Sequence, residues 1–190
     1  MWRRVVTATI YRHTFGAIGG RTVVFRPGFV SNERHIYIGC RSLIRYGARL
    51  EVVLHGQDWE PVLKIGDNVN IEQNVHIICH DRVTIGDNVS ITGHCAIVDV
   101  THPIPSDARV KIGDCIDSAR SSVEIGDGTF IGFGSSILPN VRIGRNCVIG
   151  AGSVVTRDVP DYSIAAGSPA KVLGRTAHFS SRNDSETIRD

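Results

Sequence analysis

His102 lies in the stretch "DVTHPIPSDARVK", residues 99 to 111, and its position leaves two readings open, polar surface or a group that does chemistry. An imidazole takes up and returns a proton near neutral pH, so it can act as a general base toward a hydroxyl. Asp99 stands three residues earlier. It has two open readings: it orients the imidazole, or it is a solvated turn carboxylate. The cysteines, Cys40, Cys79, Cys95, Cys115 and Cys147, form no CxxC pair and are odd in number. They read as free, mostly structural thiols, not as metal ligands or a disulfide framework.

A base needs a rigid support, and the surrounding pattern provides one. In a six-residue frame the first position is Ile65, Ile71, Ile77, Ile85, Ile91 and Ile97, then Ile125, Ile131, Ile137, Ile143, Ile149 and Val155. One block, "IICHDRVT", is two residues too long. The fifth position is small or β-branched: Val69, Val75, Val89, Cys95, Thr129, Ser135, Val141, Cys147 and Ser153. One large and one small inward residue per block describe a tight three-sided coil with parallel strands stacked at ~4.8 Å. Glycine at the second position, as at Gly66 and Gly132, is expected where the backbone turns. The frame extends back through Ile38, Ile44 and Leu50, and "HGQDWEP" interrupts it at residues 55 to 61.

The spacing therefore predicts an all-β solenoid of about five to six coils in a single domain, residues 1–190. Residues 1–35 lead in, residues 36–164 form the coils, and residues 165–190 form a C-terminal segment and tail. A loop near residues 98–124 protrudes where the period fails, and "IGDCID" from Ile112 is left inside it. Long unstructured loops in compact domains are often functional.

Composition agrees with this. The chain of 190 residues has 20 glycines and only 6% aromatics, which disfavours a helical bundle. A net charge of +2 with no long basic run argues against nucleic acid as a partner. No apolar run reaches the ~18 residues that span a bilayer. The first residues, "MWRRVVTATIYR", read as a capping segment, with peripheral membrane association as the other reading. The expected location is cytoplasmic, including the inner face of the membrane.

The blocks "VEIGDGTFIG", "ILPNVRIG" and "VIGAGSVVTRDVPDYSIAAGSPAKVLGR" downstream of "DVTHPI" resemble the hexapeptide-repeat acyltransferases. Within that family the resemblance is to the sugar O-acetyltransferases, of the galactoside and maltose type and the surface-polysaccharide type. It covers roughly residues 62 to 175. It implies a left-handed parallel β-helix, an exception to the usual right-handed crossover.

The resemblance also implies roles. His102 is the general base, and the amide of Phe133 donates to the oxyanion. Acetyl-coenzyme A, as co-substrate, meets Gly132, Ala151, Thr156, Arg157, Lys171 and Arg175. The acceptor side is expected at Asn74, His80 and Phe130. The histidine at position 80 stands where galactoside enzymes have an aspartate, which points away from galactoside and toward a saccharide of a surface glycan. A homotrimer with sites between subunits is implied, and no metal. Three rivals remain: an antibiotic or other xenobiotic acceptor, a zinc enzyme like the carbonic anhydrases of this fold using His76, His80, His94 or His102, and a non-catalytic module.

Overall fold

The computed structural model describes residues 6–176. Residues 1–5, the start of the arginine-bearing segment, and residues 177–190 of the expected tail lie outside the described residues. The strands come in threes. The first coil is β1 (Ala17–Ile18), β2 (Val23–Val24) and β3 (Phe29–Ser31), and the second is β4 (Ile36–Ile38), β5 (Leu43–Ile44) and β6 (Arg49–Val52). The third is β7 (Val62–Ile65), β8 (Asn70–Ile71) and β9 (His76–Cys79), and the fourth is β10 (Arg82–Ile85), β11 (Ser90–Ile91) and β12 (Ala96–Val98). The fifth is β13 (Ser122–Ile125), β14 (Phe130–Ile131) and β15 (Ser136–Ile137), and the sixth is β16 (Val141–Ile143), β17 (Val148–Ile149) and β18 (Val154–Val155).

Successive coils stack into three parallel sheets. The first runs β1-β4-β7-β10-β13-β16, the second begins β2-β5-β8-β11-β14-β17, and the third is β3-β6-β9-β12-β15-β18. The second sheet continues into β19 (Ser163–Gly167) and the antiparallel β20 (Ala170–Arg175), which close the C-terminal end. The coils start at Ala17, inside the segment expected only to lead in. At the N-terminal end, residues 7–14 form short helical turns, and Phe15 packs into the first coil.

The inward positions are those the period names. Every first-position aliphatic from Ile65 to Val155 is buried, and so is every fifth-position residue from Val69 to Ser153. Each buried isoleucine contributes about 1.5–3 kcal/mol relative to exposure. The polar fifth-position residues are buried without cost to their hydroxyls. Ser42 donates to the Gly66 carbonyl at 2.9 Å, Thr129 to Gly144 at 2.8 Å and Ser135 to Gly150 at 3.0 Å.

The second-position glycines are not where the backbone turns. The left-handed residues are at the fourth position: Asn68, Asn74, Asn88, His94, Gly128, Gly134, Asn140, Asn146 and Gly152. Glycine at the second position is required by close stacking instead. A Cβ on Gly132 would lie 2.5 Å from the Ala151 nitrogen and 2.6 Å from the Ile149 oxygen of the next coil. Gly132→Ala is therefore expected to cost about 1–3 kcal/mol. At ~2–4 °C per kcal/mol for a chain of this size, calorimetry should show a lower melting temperature. An unchanged melting temperature would mean that the stack yields freely there.

Candidate active site

Two stretches leave the coils at the corner between the third and first sheets. The shorter, residues 53–61, carries Trp59, and the longer, residues 99–121, carries His102. Inside the longer loop, Ile112–Asp114 make only a short 3-10 turn, and Ile112 is half exposed, so "IGDCID" is not a coil.

The extra residues of the over-long block sit between these two insertions. His80 and Asp81 make the tight corner from β9 to β10, and both are buried. Asp99 closes over them. Its carboxylate accepts the backbone N–H groups of His80, of Asp81 at 2.9 Å and of Arg82 at 2.8 Å. Asp99 is 1% exposed, and burial pushes its carboxyl above the ordinary carboxylate range, against the pull of the three N–H groups. It makes no hydrogen bond to His102 among the described residues, so it neither orients the imidazole nor stands in solvent. Both sequence readings of Asp99 are corrected.

The loop returns to the same corner. Arg120 grips Asp81 with two nitrogens, at 2.9 and 2.8 Å, and its guanidinium lies 5.2 Å from the Trp59 ring centroid. The Ser121 N–H donates to Asp81 at 3.1 Å, and the Ser121 hydroxyl donates to the Asp99 carbonyl. The Trp59 and His80 rings meet edge to face at 5.6 Å, and the Trp59 indole N–H donates to the His80 carbonyl. The expected substrate contact at His80 is thereby corrected. The ring is 2% exposed and packs the corner instead of facing a ligand. Sequence reasoning missed Trp59, Asp81, Arg120 and Ser121.

His102 is oriented by a group that no side-chain pattern names. Its Nδ1 lies 2.8 Å from the backbone carbonyl of Cys115, across the loop. A carbonyl only accepts, so Nδ1 carries the proton and Nε2 is left as the basic nitrogen. His102 lines a cavity of about 440 Å³ on the outer face of the third sheet. Val53, Ile78, Val98, Val100 and Ile116 form its aliphatic walls, beside the ion-paired Arg49 and Glu51.

The remaining candidates are spread from the third coil to β20. Phe133 and Ala151 occupy one corner column, where Gly152 N–H donates to the Phe133 carbonyl at 2.8 Å. Neither the Phe133 nor the Ala151 N–H donates to a backbone carbonyl among the described residues. Both therefore remain available to a ligand. The Phe133 ring is 55% exposed and lies 5.1 Å from His94. Asn74 stands at the same corner two coils earlier, in the neighbouring column of His94 and Gly134. It has the left-handed geometry of the other turn asparagines, with its amide 3.4 Å from His94 Nε2. Exposed Thr156 and Arg157 follow β18 at the opposite corner. Phe130, 43% exposed, belongs to the second sheet, as do Lys171 and Arg175 on β20. A single chain thus does not gather all of these residues around His102.

The three buried thiols are poor nucleophiles. Burial pushes the Cys79 thiol far up, aided by the Asp99 charge, and burial also raises Cys95 and Cys147. The four histidines weighed as zinc ligands stand apart. His76 is exposed on the third sheet, His80 is buried, His94 packs on Phe133 and His102 is held by Cys115.

Known proteins resemble this chain in sequence and in fold. A family model described as "Bacterial transferase hexapeptide (six repeats)" matches residues 122–157. The chain is 43% identical over 116 residues to "Putative acetyltransferase YJL218W" of Saccharomyces cerevisiae, covering 61% of this chain and 57% of that protein. It therefore spans little more than half of that relative's length. It is 30% identical over 164 residues to "Putative lipopolysaccharide biosynthesis O-acetyl transferase WbbJ" of Escherichia coli, covering 80% of this chain and 78% of that one. AntD, an N-acyltransferase from Bacillus cereus solved with dTDP and 3-hydroxybutyryl-CoA, matches with a TM-score of 0.73 over 91% of this chain and 89% of that one. At 17% identity that likeness speaks for the fold.

Three stacked parallel sheets define the class of fold, a left-handed parallel β-helix. The chain belongs to the hexapeptide-repeat acyltransferase family.

Proposed function

We propose that this chain is an acetyl-coenzyme A-dependent O-acetyltransferase that moves an acetyl group directly to a hydroxyl of a saccharide in surface-glycan synthesis. The observation that carries the reading is His102, with Nδ1 committed to the Cys115 carbonyl and its side chain lining a cavity open to solvent. Its Nε2 takes the acceptor's hydroxyl proton as that oxygen attacks the thioester carbonyl. The Phe133 N–H donates to the oxygen that gains negative charge, as oxyanion donors do. Collapse breaks the carbon–sulfur bond, and the imidazolium returns the proton to the departing thiolate. No covalent enzyme intermediate is needed, because the acceptor oxygen itself attacks the thioester.

The unbonded amides of Phe133 and Ala151, and the exposed Arg157 and Lys171, are the groups suited to hold the coenzyme A arm and its phosphates. Because one chain leaves these groups on other coils than His102, the reading places the complete site between neighbouring chains of a homotrimer. It places the enzyme in the cytoplasm, associated with the inner face of the membrane. No helix among the described residues is long and apolar enough to cross a bilayer. The saccharide acceptor is supported by the lipopolysaccharide role in the name of a relative matched over 80% of this chain.

Thiol release from acetyl-coenzyme A, measured over a panel of methyl glycosides, nucleotide sugars and hydroxyl-bearing antibiotics, tests the acceptor. Acceptor-dependent turnover is expected with the saccharides. Turnover with antibiotics alone would replace the glycan by a xenobiotic.

A further inference from the structure

The charge of the whole chain, +2, conceals a division. Residues 1–50 hold nine arginines, no lysine and a single acid, Glu33, and stand at +8, so the remaining residues stand at −6. In the fold the described part of that segment, residues 6–50, is the N-terminal end of the solenoid: the short helical turns and the first two coils. We infer that this end is a docking surface for an anionic lipid membrane.

The placement of the arginines supports this. Arg12, Arg21, Arg26, Arg34, Arg41 and Arg45 are all exposed. Arg21 and Arg41 stack at the corner between the first and second sheets, where Arg41 N–H donates to the Gly20 carbonyl. Arg26 and Arg45 lie by the corner between the second and third sheets, and Arg34 lies between the third and first. They therefore ring the end of the solenoid. Coils are about 4.8 Å apart, so an end-on approach brings both rings within one Debye length, ~8 Å at physiological salt. Arg21, Arg26, Arg34 and Arg41 form no ion pair among the described residues, whereas Arg45 and Arg49 pair with Glu72 and Glu51.

Apolar groups stand among these cations. Ile10 is 53% exposed, Phe25 37% and Phe29 48%, all on the cap and the first coil. Cations for lipid phosphates, with apolar side chains for the acyl boundary, are the two signals that stable peripheral binding requires. Nucleic acid fits less well, because the arginines are spread over three corners and line no groove along a phosphate track. Docking by this end leaves the sides of the solenoid free. The cavity below His102 begins at Arg49 and Glu51 on the second coil, within reach of a bilayer-borne molecule. The inference rests on charge and placement and is independent of acetyl transfer.

The test is co-sedimentation of the full chain with vesicles of phosphatidylcholine and phosphatidylglycerol, two to one, and with pure phosphatidylcholine. Binding is expected to the anionic vesicles alone and to be lost in about 1 M salt, where the Debye length is ~3 Å. The variant Arg21→Gln/Arg26→Gln/Arg34→Gln/Arg41→Gln should partition at least about 100-fold less, as removal of four surface cations implies. Its melting temperature should be unchanged. Equal binding to both vesicles, no binding at low salt, or undiminished binding by the variant would overturn the inference. So would tighter binding to a DNA or RNA oligonucleotide than to the anionic vesicles. A variant that melts early is replaced by the paired variants Arg21→Gln/Arg41→Gln and Arg26→Gln/Arg34→Gln, each expected to lose about 10-fold.

Discussion

Replacing His102 by alanine is expected to lower turnover by ~10²–10⁴-fold, the usual contribution of a positioned general base. The fold should not notice the change. His102 is exposed, and its one bond runs to a carbonyl within the same loop, so circular dichroism and the melting temperature should match the parent. The loss should fall on kcat, because the imidazole acts on the proton in flight and not on the bound ground state. His102→Gln sharpens the test. A glutamine amide can still donate to the Cys115 carbonyl but offers no basic nitrogen, so it should be as inactive as alanine. Activity within a few-fold of the parent in either variant would remove His102 from the chemistry.

Asp99→Ala is expected to be the most destabilising single change at the site. Three backbone N–H groups, those of buried His80 and Asp81 and of part-buried Arg82, lose the Asp99 carboxylate together. Each unsatisfied group costs about 1–3 kcal/mol. A total of at least about 3 kcal/mol corresponds to a fall in melting temperature of roughly 6–12 °C. Asp99→Asn should be nearly as harmful, because its NH₂ would face donors. The acid limb has a defined sign. Burial raises the carboxyl in the fold above its ordinary value, so the fold holds that proton more tightly than the unfolded chain does. The contribution of this group is then most favourable at low pH and declines as pH rises through the raised value. The alanine variant should lose that part of the pH dependence. A melting temperature equal to the parent's would mean that the corner N–H groups find other acceptors, and that Asp99 does not hold the loop.

The Asp99 finding also shows how far the pattern could be read. The alternation that puts Ile97 inside and Val98 outside continues by one residue and turns Asp99 inward. That signal was present in the sequence, but the short interval to His102 suggested a contact that an extended backbone does not make. A match to other enzymes puts His80 at the acceptor, while its place in the over-long block makes it part of a buried corner. The second-position glycines were located correctly and explained wrongly, since only the stacked coils reveal what a Cβ would meet.

The sequence by itself determined the coil, the identity of the inward residues, the place of the loop and the family. Each six-residue block repeats the same local demand, one large and one small residue facing in, so a single chain carries the instruction many times over. Only the tertiary structure decided what holds the loop and what aims the base. Arg120 meets Asp81 across 39 residues, and the Cys115 carbonyl reaches His102 across 13. Such contacts have no period. They exist because stacking brings two insertions and one over-long corner to the same edge, where buried N–H groups and charges must find partners.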